Sequence, residues 1–254
     1  AFTGLLVVMV VLWVPESLPV EQRHDGGLRM LLDGTRELAR DHVLVRLLFI
    51  NALSFGLLMA YLSAAPFVLR NVLGMGTVAY TAVFGLCGAT VTVTIAVAAS
   101  LVRRFSQACQ VRVGLIAGLI VDTVFAGVCL MWLREPVTGP ERMPLLVAVV
   151  ALFLAHVACL GLSMGNAPAL ALDRTGRWAG TGSALLGFLQ FVVGGLVSPL
   201  VGLTGEASGV AFGVVIVAVG AVANVLAVFG LRERGEKQRL AAQVTKCRQQ
   251  RLGQ

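Results

Sequence analysis

One carboxyl group stands out in this chain because of where it sits. Asp122 lies near the middle of the apolar run 113–133, and it is the only Asp, Glu, Lys or Arg in six such runs, 47–69, 71–102, 113–133, 143–172, 178–205 and 207–231. Placing Asp at the centre of a membrane-spanning helix costs about 2.5–3.5 kcal/mol on insertion scales. A residue retained at that cost usually faces a cavity or a partner, and often handles ions or protons. The alternative is a structural hydrogen bond to a neighbouring helix, with the carboxyl permanently protonated. His156, near the middle of 143–172, is the only histidine inside a run and has a similar depth. A carboxyl and an imidazole at equal depth could share a proton, because imidazole titrates near neutral pH. Its alternative is a neutral ring bonded to a backbone carbonyl. Together Asp122 and His156 are the proton-coupling candidates.

Among the uncharged polar residues inside runs, the amides Asn51, Asn166, Gln190 and Asn224 stand within the expected spans. Each can form an interhelical hydrogen bond worth about 0.6 kcal/mol on average, so packing competes with ligand binding at every one. They are the substrate-cavity candidates, with Gln190 foremost because it sits mid-span in a Gly-rich run. No nucleophile elbow, HExxH pair or phosphate-binding loop is present, so no catalytic residue, metal ligand or cofactor-binding residue is assigned. The five cysteines, Cys87, Cys109, Cys129, Cys159 and Cys247, are scattered and suggest neither a disulfide framework nor a zinc site.

The elements that must hold these groups are membrane spans. Apolar residues make up 57% of the chain and charged residues 13%, against roughly 25% charged in soluble domains. Each run is long enough to cross a hydrocarbon core of about 30 Å. The expected organisation is the end of a truncated transmembrane helix (1–14), a connector with an amphipathic helix (15–46), a six-helix transmembrane bundle (47–231) and a basic tail (232–254). In the connector Leu28, Leu31, Leu32, Thr35, Leu38 and Ala39 recur at helical spacing. The helix they predict lies on the membrane surface or serves as a solvated linker.

Of the 20 basic residues, 17 fall in the connector, the loops 103–112 and 173–177, and the tail; only Arg70, Arg134 and Arg142 fall in the alternate loops. The positive-inside rule therefore places connector and C-terminus in the cytoplasm; the expected location is multi-pass in the plasma (inner) membrane. Topology accounts for the net charge of +7, and nucleic acid is not an expected partner; the lipid bilayer is, with anionic lipid a further ligand for the tail.

The stretch 161–205 has its own pattern. An apolar helix is expected to end at Asn166-Ala167-Pro168, a polar hinge to follow at Asp173–Arg177, and a second helix to begin at Ala179. That helix carries small residues four apart: Ser183/Gly187, Gly194/Ser198 and Ser198/Gly202. In lipid such residues let backbones approach where burial alone supplies no drive. Gly187, Gly194, Gly195, Ser198, Pro199 and Gly202 are the helix-packing candidates.

The sequence NAPALALDRTGRWAGTGSALLGFLQFVVGG (166–195) resembles the tenth-to-eleventh helix region of the Bcr/CflA drug efflux group of the major facilitator superfamily. Pro15-Glu16-Ser17-Leu18-Pro19 resembles the start of that group's central loop. The resemblance runs from residue 1 to about 232. It implies an all-α integral membrane fold, the six-transmembrane-helix C-terminal half of a twelve-helix transporter, with the N-terminal half as missing partner. It implies proton-coupled efflux of small hydrophobic drugs, with no cofactor and the proton gradient as energy source. The segment 100–112 keeps only Arg103-Arg104 of the superfamily's GxxxDRxGRR gating motif, without its Asp and Gly positions. Related exporters generally place their essential acid in the N-terminal half, which leaves the role of Asp122 open. The other readings are a major facilitator exporter of amino acids, sugars or other metabolites, and a non-transporting membrane protein such as an assembly factor or membrane-embedded enzyme.

Overall fold

The computed structural model describes residues 28–203 and 209–229, and before them Gly4, Val8, Met9, Leu12 and Trp13, which are helical. Most of the expected helix remnant 1–14, the Pro15–Pro19 segment, the loop 204–208 and the basic tail lie outside the described residues. The described residues are all helix and turn, without a strand.

A short helix, α1 (Leu28–Leu38), precedes six helices long and apolar enough to cross a membrane: α2 (His42–Pro66), continued by a π-helical turn to Val72, α3 (Thr77–Leu101), α4 (Gln107–Trp132), α5 (Arg142–Leu172), α6 (Ala179–Leu200) and α7 (Val210–Phe229). Asp41 starts α2 by accepting the Val43 and Leu44 amides at 3.0 and 3.2 Å, which satisfies donors that have no partner in the first turn. Ser106 does the same for α4 through the Cys109 amide. Because of these caps, α2 and α4 begin ahead of the apolar runs and carry Arg46 and Arg112 within them. Long arginine side chains can lie along a helix and reach the interface with their charge, so a basic residue does not end a helix.

Pro168 differs in effect from the expectation, and Pro66 has an effect of its own. The helix expected to stop at Asn166-Ala167-Pro168 continues through Pro168 to Leu172. A proline removes one backbone donor, and inside a bundle the freed groups can be satisfied by neighbours. Pro66 instead marks the change from α-helix to the wider turn Phe67–Val72.

The bundle has two central helices. α5 packs against α2, α3 and α4, and α2 also packs against α6. Phe125, Phe153 and Phe212 form a buried cluster with Tyr61, ring centroids 5.2–5.9 Å apart along the chain of contacts. Close approach depends on glycine at a few crossings. A Cβ on Gly161 would lie 2.7 Å from Thr94 Cβ, and one on Gly213 would lie 2.9 Å from Ala126 Cα. α3 and α6 expose most of their surface.

The loops sort into two ends. At one end Arg174 reaches Asp41, Arg177 reaches Glu37, and Arg46 donates to the Phe229 carbonyl. At the other the Val137 amide donates to Val72 O, the Gly209 amide to Leu133 O, and Arg142 to the carbonyls of Leu73 and Gly74.

Candidate functional site

Gly114, Gly118 and Asp122 recur every four residues on one face of α4, so they stack along the helix. A Cβ on Gly114 would lie 2.8 Å from the Cys159 carbonyl oxygen, and one on Gly118 would lie 3.5 Å from Cys159 Cβ. The two glycines therefore bring α4 onto α5, and the third position of the series meets His156. Asp122 Oδ1 and His156 Nδ1 lie 2.5 Å apart, with the residues 1% and 3% exposed. The other two polar atoms of the pair, Asp122 Oδ2 and His156 Nε2, are buried without a protein partner. Oδ2 looks toward α7, where a Cβ on Gly220 would lie 3.4 Å from it. Tyr61 of α2 stands beside the imidazole, ring centroids 6.4 Å apart.

Beside the pair is a cavity of about 10 Å³, lined in part by Leu57, Gly118, Cys159, Ser163 and Gly220. Such a volume is near the minimum for one water, about 10–15 Å³. The arrangement can hold one shared proton in the short contact and offers one further protonation position on each partner. Either imidazole nitrogen can be donor or acceptor, so the pair can change its proton count without losing its contact.

The remaining polar candidates separate into two groups. The structure brings Gln190 and Asn51 together across α6 and α2, Nε2 to Oδ1 at 3.5 Å, and leaves Asn51 Nδ2 buried without a partner. Asn166 and Asn224 are committed to helix contacts. Asn166 Nδ2 donates to Gln110 Oε1 at 3.2 Å and to Leu162 O; Asn224 Nδ2 donates to Leu115 O and Gly220 O, both at 2.9 Å. Gln110 precedes the apolar run 113–133, so apolarity alone does not place it in a span, although the helix begins at Gln107. The Ser106 cap was the available signal.

The small-residue series on α6 is used in part. Gly194 meets Met59 and Phe55 of α2, a Cβ there lying 2.9 Å from Met59 Cγ, and Ser198 Oγ contacts Ser63 Oγ at 2.5 Å. Gly187 and Gly195 have no atom of a facing element within 4 Å, and Gly202 meets only the Pro199 carbonyl. Pro199 is exposed in the last turn of α6. Gly194 and Ser198 lie one turn apart on the face of α6 that meets α2, and Gly195, the next residue after Gly194, lies off that face. Gly56, Gly114 and Gly161 make the tight contacts that the sequence reading did not single out.

The hinge after α5 is also more than a linker. Arg174 makes two hydrogen bonds to Asp41 Oδ2, at 2.9 and 2.6 Å, and Arg177 bonds Glu37 Oε2 at 2.7 Å. Burial pushes the Asp41 carboxyl up, but the bonds from Arg174 and from the Leu44 and Val43 amides outweigh it, so Asp41 lies below the usual carboxylate range. The hydrogen bond from Arg177 likewise lowers Glu37. The order Asp173-Arg174-Thr175-Gly176-Arg177 matches the DRxGR part of the gating motif of which 100–112 keeps only Arg103-Arg104. Gly176, at φ +50°, supplies the left-handed turn.

A family model described as Major Facilitator Superfamily matches residues 1–199. The chain belongs to the major facilitator superfamily. It is 27% identical over 231 residues to YdgK of Bacillus subtilis (strain 168), described as an uncharacterised MFS-type transporter; the match covers 89% of this chain and 53% of that protein. The chain thus spans about half the length of this curated relative. No solved structure matches it significantly. As a member of this superfamily, with helices long and apolar enough to cross a membrane, the chain is a multi-pass membrane protein from a family of transporters. The six spans among the described residues are those of one half of a major facilitator transporter. Among the described residues no group of three or more His, Cys, Asp or Glu could hold a metal ion.

Proposed function

We propose that this chain is the C-terminal half of a proton-coupled exporter of hydrophobic drugs of the Bcr/CflA group, and that Asp122 and His156 handle its proton. The observation that carries the proton assignment is their buried 2.5 Å contact, with one unpartnered polar atom left on each residue. A pair of this kind can accept a proton in one state of the bundle and release it in another if the packing of α4, α5 and α7 around Oδ2 and Nε2 changes between those states. No cofactor is needed; the proton gradient supplies the energy.

Transporters of this architecture form the substrate site between two halves that rock against each other. The sparsely covered faces of α3 and α6 are where the N-terminal half docks and the cavity opens. Gly85, Gly88, Gly187 and Gly195 on these helices have nothing facing them within 4 Å, and Phe188 and Phe191 are 63% and 73% exposed. Gln190 with Asn51 is the polar contact on the edge of that cavity, and an apolar drug is held chiefly by aromatic surface. In this reading the end of the bundle carrying Asp41, Arg174 and Arg177 is the cytoplasmic end of a plasma (inner) membrane protein; the distribution of Arg and Lys supports that orientation.

One observation favours a second reading. The pair lies between α4 and α5 with Gly220 of α7 beside it, away from the open faces of α3 and α6. In that reading it fastens helices within this half and carries no protons. Asp122→Asn in the full-length transporter separates the two, since the amide keeps shape and hydrogen bonding but cannot cycle a proton. The proton reading expects normal insertion and drug binding with loss of proton-coupled efflux. Efflux with unchanged pH dependence at equal expression refutes it.

A further inference from the structure

We infer that the α3–α4 turn, with the groove beneath it, is a binding site for one anionic phospholipid. The groove holds about 240 Å³ and is lined by Leu101, Phe105, Cys109, Gln110, Val113 and Leu162. Its single polar side chain is already committed: Gln110 Nε2 donates to Phe105 O and Gln110 Oε1 accepts from Asn166. The groove therefore suits a hydrocarbon chain and offers a headgroup nothing. The headgroup contacts stand on its rim. Arg103 and Arg104 lie in the turn between the lining residues Leu101 and Phe105, and Arg112 follows Cys109 by three positions on α4, hence on a neighbouring face. All three arginines are exposed, and none is in an ion pair among the described residues.

Local sequence cannot neutralise them, because no Asp or Glu occurs between Asp41 and Asp122. The N-terminus of α4, capped by Ser106, adds positive potential at the same place. Three cations at the mouth of an apolar groove, where two spans leave the membrane, match the phosphate and acyl chain of a single anionic lipid. A free phosphate would leave the groove unused, and a zwitterionic lipid would leave the arginines half-matched. The site is separate from the transport pair and does not depend on what is transported.

The test is native mass spectrometry of the full chain in detergent, titrated with phosphatidylglycerol or phosphatidylcholine of the same acyl chains. Each basic residue near the surface favours an anionic lipid by about fivefold, so at low salt the wild-type chain should retain phosphatidylglycerol at least about tenfold more tightly than phosphatidylcholine. Arg103→Gln/Arg104→Gln/Arg112→Gln should remove that preference. Cys109→Trp, which fills the groove and keeps the arginines, should weaken phosphatidylglycerol as well. Elution volume and melting temperature equal to wild type show that each variant is folded. A wild-type chain without preference overturns the proposal. So does a preference that survives the triple exchange, which would belong to the tail, or binding indifferent to Cys109→Trp.

Discussion

His156→Leu is the substitution whose cost best reports the state of the buried pair. It removes the only described partner of Asp122 Oδ1 while Oδ2 already lacks one, and at 1% exposure the carboxyl cannot turn to water. An average interhelical hydrogen bond in a membrane protein contributes about 0.6 kcal/mol. Leaving a buried neutral group unsatisfied costs about 1–3 kcal/mol. Breaking a buried ion pair costs about 3–5 kcal/mol, because one charge stays behind. The adjoining cavity, about 10 Å³, is too small to relieve the loss with more than one water. We therefore expect His156→Leu to cost about 3 kcal/mol or more if the pair is ionised. Adding Asp122→Leu should recover most of it, since no polar group then remains. Reversible unfolding in mixed micelles, followed by tryptophan fluorescence, measures all four members of the cycle. Single substitutions that each cost under about 1 kcal/mol and add within about 0.5 kcal/mol would show that the two side chains are not energetically coupled, and the site would lose its physical basis.

Gly114→Ala should destabilise the chain by about 1–3 kcal/mol through overpacking, since its Cβ would meet backbone at 2.8 Å, whereas Gly118→Ala, at 3.5 Å from Cys159 Cβ, should be nearly neutral; equal effects in thermal unfolding would contradict the packing described. The Asp41–Arg174 contact should hold through neutral pH and fail on acidification. Asp41 has a lowered folded-state pKa, so its contribution is present above the ordinary carboxylate range and is lost as pH falls through the folded value. Fluorescence of Trp178, with Trp13 and Trp132 replaced by Phe, should report an acid transition that Arg174→Gln removes; an unchanged transition in that variant would dissociate the contact from the pH response. For topology, a cysteine at position 138 should react with an impermeant maleimide in intact cells and one at position 104 only after lysis. The reverse pattern would invert the orientation.

The spans were legible because length and apolarity alone require them, and six runs yielded six helices. Their ends were not, because charge is a poor marker of a helix end. Arg46 and Arg112 ride inside helices that began at Asp41 and Ser106 caps, and α5 passes through Pro168. Reading 100–112 as loop for this reason hid Gln110, although it lies buried against Asn166. The hinge contacts were illegible for another reason. Asp41–Arg174 and Glu37–Arg177 join residues 133 and 140 positions apart, and such pairings depend on how helices return to the same end of the bundle.

Asp122 and His156 behaved differently, and the difference is energetic. In a soluble protein a lone Asp on a helix says little, because water solvates it wherever it faces. In an apolar run the same residue must find a partner or a cavity, so its presence implies one. The sequence also held the reason for the choice of partner: Gly114 and Gly118, spaced by one turn each from Asp122, face α5 and remove the side chains that would keep the helices apart. The small-residue series on α6 attracted attention because it is longer, yet only Gly194 and Ser198 in it touch α2. Small residues mark a close approach only where a second helix crosses them, whereas a buried carboxyl needs its partner at one defined point. That is why the isolated acid located the α4–α5 contact more reliably than the glycine series located the packing of α6.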